Sequence, residues 1–160
     1  MIEHKIGNLF SVTEGFIIHG CNAQGAMGAG VALTVKLVYP SAYEAYRMCL
    51  DKKRELGKSP MGSTTICPIE DTNLVIVNAI TQEFYGNDGR RYTDYDAVRA
   101  SLVELRTEVD KWHKIFKDVP RVLNFPLIGC GLGGADWEVV ASIIEEEIDD
   151  SWQKVLWTKE

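Results

Sequence analysis

His19, Cys21 and Asn22 stand together in HGCN at residues 19–22, and the run that follows, AQGAMGAGVA, is rich in glycine and alanine. A second run, GCGLGGAD at 129–136, sets Cys130 and Asp136 on either side of three more glycines. Glycine loses more backbone freedom on folding than any other residue, so a chain concentrates it where the backbone turns sharply or comes close to something. Each run offers bare N–H groups, the donors that a phosphate takes at a helix N-terminus. Beside them, His19 has an unperturbed pKa near physiological pH and can serve as general acid or as donor to a phosphate; the alternative is a hydrogen-bonded structural histidine at a strand end. Asp136 can position water, act as base, or cap a helix. Cys21 and Cys130 are candidate nucleophiles by position, although small apolar filler behind a loop is the commoner use of cysteine. A third polar stretch, TQEFYGNDGRRY at 81–92, carries Tyr85, Arg90 and Arg91. An arginine there would offer the planar donor set that phosphate prefers; the alternative is a solvated surface loop.

These side chains need a scaffold, and the rest of the chain reads as one. Its 160 residues are 46% apolar and 25% charged, the profile of one globular domain spanning residues 1–160. The formal charge of −6 argues against extended nucleic-acid binding or an anionic membrane surface. No apolar run approaches a membrane span and no signal-peptide pattern opens the chain, so a cytoplasmic monomer is the expectation. Cys21, Cys49, Cys67 and Cys130 lack the spacing of a zinc site, and they read as reduced thiols; no metal and no cofactor is expected.

Hydrophobic spacing predicts strands at 4–6, 16–21, 63–69, 73–80, 121–128 and 152–157. Helical spacing covers GVALTVKLVY, stopping before Pro40, and a capping box of Ser41 and Glu44 opens a helix through about Leu56. Thr93 is expected to cap a long helix from Asp94 to Phe116, with Val98, Leu102, Leu105, Val109 and Trp112 on its buried stripe. Asp136 is expected to cap a last helix, WEVVASIIEEEI. Alternating strands and helices imply an α/β fold with a mostly parallel sheet between helical layers. Both glycine runs then follow a strand and precede a helix, at the carboxyl edge where open sheets bind ligands.

GCGLGG formally satisfies G-x-G-x-x-G, but a dinucleotide fold would place it in the first βα unit, with more sheet beyond. No GxxxxGK[ST] occurs. The combination of HGCN, MGAGVA and NFPLIGCGLGGADWEVV is more specific than either loop, and it resembles the macrodomain family of ADP-ribose-binding modules. It looks most like the small stand-alone branch that contains ADP-ribose-1″-phosphate phosphatases and terminal ADP-ribose glycohydrolases. The resemblance runs from IGNLF to VLW and implies a three-layer α/β/α macrodomain with a mixed, mostly parallel central sheet.

By that resemblance, Met27, Gly28, Ala29, Gly30 and Val31 wrap the diphosphate and distal ribose, and Asn22 contacts the distal ribose hydroxyls; the alternative for Asn22 is a turn-former. Ile128, Gly129, Cys130, Gly131, Leu132 and Gly133 form the other wall. At the adenine end the family commonly has an Asp where this chain has Asn8, beside Leu9, and Trp157 stands where relatives often place an aromatic. The glycohydrolase branch relies on a Lys after the strand ending NAI and an Asp directly after GCGL; here these positions hold Gln82 with Glu83, and Gly133. The phosphatase branch is similar to this chain at His19 and Asp136. The expected function is therefore binding of ADP-ribose derivatives, as small-molecule ligand, and hydrolysis of the phosphate of ADP-ribose 1″-phosphate with His19 and Asp136 as catalytic residues. Two rivals stand beside it: a hydrolase that removes ADP-ribose from protein or nucleic acid, and a non-catalytic reader.

Overall fold

Nearly continuous buried runs along two central strands, FIIHG and LVIVNAIT, require helices on both faces of the sheet. In the computed structural model, which describes residues 1–159, the elements run β1 (Ile2–Ile6), a 3₁₀ turn (Leu9–Ser11), β2 (Glu14–Asn22), α1 (Gly30–Val38), α2 (Pro40–Glu55), β3 (Thr64–Pro68), β4 (Asn73–Gln82), α3 (Tyr95–Lys111), α4 (His113–Phe116), β5 (Val122–Phe125), α5 (Trp137–Glu147) and β6 (Gln153–Thr158). The strand order is β1-β6-β5-β2-β4-β3, parallel throughout except for antiparallel β3 at one edge. The fold is three-layer α/β/α, with a mixed, mostly parallel sheet between two helical layers.

One face of the sheet presents Ile17, Cys21, Leu74, Ile76 and Ile80 to Val35, Ala42, Tyr46 and Leu50 of α1 and α2. The opposite face presents Phe16, Ile18, Val75, Val77 and Ala79 to Val98, Leu102, Leu105 and Val109 of α3 and to Val140, Ile143 and Ile144 of α5. Each Val, Leu, Ile or Phe among them contributes about 1.5–3 kcal/mol when fully buried, so the two faces together lock the register of β2 against β4. Among the described residues no helix is long and apolar enough to cross a membrane.

Three helix boundaries differ from expectation. No capping box forms at Ser41: α2 starts at Pro40, whose fixed φ suits the first helical position, and Tyr39 is its N-cap without a side-chain bond. Asp94, not Thr93, caps α3, with Oδ1 accepting from the Ala97 N–H. Thr93 is drawn away because its hydroxyl donates to the Gly129 carbonyl at 3.0 Å. The long helix also breaks at Trp112, whose ψ of 38° leaves helical geometry; the indole is 48% exposed and donates to Glu108 instead of completing the buried stripe. Asp136 caps α5 as the sequence suggests, its Oδ1 accepting from the Glu138 N–H at 2.9 Å.

Candidate functional site

Four parallel strands deliver their carboxyl ends, and the loops after them, to one edge of the sheet. Residues 23–29 follow β2, residues 83–93 follow β4, residues 126–135 follow β5, and the turn at Asn8 and Leu9 follows β1. The first loop leads into α1, whose N-cap Ala29 makes no side-chain bond to the helix. Among the described residues the N–H groups of Met27, Gly28 and Ala29 find no acceptor in the chain, nor do those of Gly131, Leu132 and Gly133. An uncapped helix N-terminus with free amides carries partial positive charge and selects an anion.

The glycines of this edge divide by what requires them. Gly129 has φ +71°, and a β-carbon on it would lie 2.5 Å from Thr93 Oγ1, so the fold itself demands glycine. Gly28 and Gly131 are different. Neither has a positive φ, and a β-carbon on either would meet nothing within 4 Å. Neither backbone strain nor packing accounts for them, and both positions stand open at this edge. Met27 is buried beneath this loop, while Ala29 and Gly30 are exposed and Val31 is half-buried.

Asn22 organises the first loop from its base. Its Oδ1 accepts from the N–H groups of Gln24 at 2.9 Å and Ala26 at 3.3 Å, and its Nδ2 donates to the Ala26 carbonyl. The buried Tyr46 hydroxyl lies 2.5 Å from the Asn22 carbonyl and accepts from the Gly25 N–H. The turn-forming alternative for Asn22 is thus realised, with one amide hydrogen left over. Tyr46 was not legible as part of the site, because in sequence it is one more apolar position of α2.

The second loop is braced by residues 82–93. The Gly133 carbonyl accepts from the N–H groups of Tyr92 and Thr93, and a β-carbon on Gly133 would lie 2.5 Å from Thr93 Oγ1 and 2.6 Å from the Gly129 carbonyl oxygen. Gln82 joins both loops. It pairs with Asn22 across a register shift in β2, bridges Thr93, and takes the Ala23 N–H on its carbonyl. Ile128 is buried, Cys130 is half-buried with its thiol on the Ile128 carbonyl, and Leu132 is 61% exposed. Burial and the neighbouring Asp136 raise the Cys130 thiol above its ordinary value, which makes it a poor nucleophile.

His19 lies elsewhere. Its ring is 1% exposed, on the sheet face covered by α2, with Nε2 at 2.6 Å from Asn78 Oδ1. Asn78 Nδ2 donates to the Ala42 carbonyl and to Thr65 Oγ1, so Oδ1 must accept and His19 Nε2 must carry the proton. Burial pushes the His19 pKa down to about 4, against a partial upward pull from Asn78. The general-acid role expected of His19 does not fit this placement: the ring is neutral at pH 7, without solvent access, and its one proton is committed. Cys21 is buried beside it, its thiol pushed upward by desolvation, and serves as core.

Asp136 is exposed and borders an open groove of about 450 Å³ between α3 and α5, with Tyr95, Arg99 and Glu138. Its backbone N–H donates to the Tyr95 hydroxyl, and the Arg91 guanidinium stacks 4.4 Å over the Tyr95 ring. Arg90 pairs with Asp88 at 2.9 Å, and Tyr85 is exposed. Both arginines therefore have partners within the chain. At the far end of the edge, Asn8 Oδ1 accepts from the Phe10 N–H, Leu9 is buried, and the half-buried Trp157 donates to Asn124 Oδ1 while packing against Gly7.

The Macro domain family matches residues 18–144. An ADP-ribose 1″-phosphate phosphatase of Candida albicans is 24% identical over 152 residues, covering 91% of this chain and 93% of that protein. A DNA ADP-ribosyl transferase–DNA ADP-ribosyl glycohydrolase fusion protein of Thermosipho africanus is 26% identical over 144 residues, 86% of this chain but 36% of that protein. Among solved structures, the macrodomain of Thermus aquaticus DarG superposes with a TM-score of 0.73 at 25% identity, covering 100% of this chain and 98% of that one. With the family match extending over most of the chain and the same fold in a solved relative, the chain belongs to the macrodomain family.

Proposed function

We propose that the edge formed by the two glycine loops binds ADP-ribose derivatives, and that the chain hydrolyses the phosphate of ADP-ribose 1″-phosphate. The observation that carries this is the pair of uncommitted amide rows, at Met27–Ala29 and Gly131–Gly133, with open space above Gly28 and Gly131. The diphosphate would take the amides that open α1, with Gly30 and Val31 in the first helical turn. The distal ribose would lie between Asn22 and the wall from Ile128 to Gly133. Adenine would fall to the turn at Asn8 and Leu9 beside Trp157, where the neutral Asn8 amide replaces a carboxylate.

Phosphoryl transfer to water asks little covalent chemistry of a protein. Its loose transition state spreads charge over the phosphoryl oxygens, so preorganised donors and positioning supply most of the catalysis. Amide rows of this kind suit that demand without a proton from His19. Asp136 is assigned the capping of α5 and no proton transfer. The names of full-length relatives support the same reaction at low identity.

The glycohydrolase rival has a named relative but meets a steric obstacle. An Asp at position 133 would overlap Thr93 and the Gly129 carbonyl, and position 82 holds an amide in place of an amine. The reader alternative gains from the burial of His19, which leaves the cleft without a general acid. Incubating purified protein with ADP-ribose 1″-phosphate and, separately, with ADP-ribosylated protein and ADP-ribosylated DNA decides among the three. Free phosphate from the first supports the proposal, and free ADP-ribose from either of the others supports the rival. Binding of ADP-ribose with neither product makes the chain a reader.

A further inference from the structure

We infer that Gln82 is the residue that positions the attacking water in this cleft, an inference that rests on the phosphatase function proposed above. Gln82 is the last residue of β4, half-buried, with Asn22 on one side and the Thr93–Gly133 contact on the other. It therefore sits at the base of the cleft, between the loop assigned to the diphosphate and the wall assigned to the distal ribose. Its amide cannot turn freely. Nε2 donates to the Phe84 carbonyl at 2.8 Å, which dictates which end of the amide is nitrogen and directs Oε1 the other way. Oε1 lies 3.1 Å from where a β-carbon of Gly133 would stand, and among the described residues it accepts no hydrogen bond.

The neighbouring polar side chains are committed. Asn22 Oδ1 accepts from two loop amides, the Thr93 hydroxyl donates to Gly129, and His19 is buried against Asn78. A pinned amide oxygen with no partner among the described residues can accept one hydrogen of a water and orient its lone pair, without taking the proton. The reaction balances on that basis. The water oxygen bonds phosphorus while the bond from phosphorus to the ribose 1″ oxygen breaks. One water proton ends on the released ribose oxygen, the other stays with the phosphate, and nothing else is consumed.

The test uses the full chain and ADP-ribose 1″-phosphate, with Gln82→Met, which keeps length and volume but removes the acceptor, and Gln82→Ala. Phosphate release, ADP-ribose affinity by calorimetry and melting temperature are measured for each. The expected result is a fall in kcat of about 10²-fold, the usual penalty for a misplaced reactant, with KM and ADP-ribose affinity unchanged and the melting temperature lowered by no more than about 2–4 °C, the cost of the Phe84 hydrogen bond that both variants also lose. Full turnover in Gln82→Met overturns the assignment and leaves the phosphatase function standing. A parallel loss of affinity, stability and rate also overturns it, since that pattern means Gln82 only braces the loops through Phe84. If the wild-type chain releases no phosphate while binding ADP-ribose, the phosphatase function itself fails and this inference falls with it.

Discussion

Lowering the pH should weaken this protein through His19 in a way that can be worked out beforehand. In the folded chain the ring stays neutral down to about pH 4, whereas its ordinary value is 6.5. Between those values the unfolded chain binds one more proton than the folded chain, so unfolding becomes easier as pH falls. The slope is about 1.4 kcal/mol per pH unit for one group. The contribution is fully present above pH 6.5 and is lost by about pH 4, a total of roughly 3 kcal/mol. That is a large share of the ~5–15 kcal/mol that holds a domain together. His19→Gln provides the control, since its amide can still donate to Asn78 Oδ1 but cannot titrate. Urea unfolding of both proteins, followed by circular dichroism from neutral pH downward at constant ionic strength, cancels the carboxylates common to both. The gap in stability between wild type and His19→Gln should shift by roughly 3 kcal/mol against the wild type across this range. Parallel curves would refute the reasoning, as would a His19 ring resonance that titrates near its ordinary value in the folded protein. Because the ring is kept out of the chemistry, His19→Gln should also retain turnover at neutral pH.

Gly28→Glu should leave the melting temperature unchanged, because a side chain there meets nothing, yet place a carboxylate among the amides assigned to the diphosphate. Two like charges about 4 Å apart near a surface cost about 4 kcal/mol, so ADP-ribose affinity measured by calorimetry should fall ~10²–10³-fold; retained affinity would move the diphosphate elsewhere. Gly133→Asp should destabilise by about 1–3 kcal/mol through overlap with Thr93 and Gly129, lowering the melting temperature without creating glycohydrolase activity. A variant as stable as wild type would remove the steric argument against that rival. Asp136→Asn keeps the cap on α5, so both stability and phosphate release should stay near wild type, whereas Asp136→Ala should cost about 1 kcal/mol of stability. A folded Asn variant slowed by about tenfold or more would return the carboxylate to the chemistry.

Strand and helix identity, the α/β class and the placement of both glycine loops at one sheet edge were legible from spacing alone. Those features depend on local periodicity and on residues that punctuate it, such as Pro40, and periodicity is a property of neighbours in the chain. The two runs HGCN…MGAGVA and GCGLGG marked the candidate edge for the same reason, since each glycine cluster is contiguous. The cap of α5 at Asp136 was equally local.

Other features waited on packing between distant segments. His19 is a candidate general acid by its place near the first glycine run, but strand parity turns it under α2 and against Asn78, 59 residues away. Thr93 has the character of a helix cap, yet the Gly129 carbonyl, 36 residues on, claims its hydroxyl and passes the cap to Asp94. Tyr46 reads as core until its hydroxyl reaches the Asn22 loop. The need for glycine at 133 and the pinned amide of Gln82 likewise appear only when β4, the segment after it and the last glycine loop are brought together. A side chain's burial and partners are set by the elements that close over it, and no short window of sequence contains them.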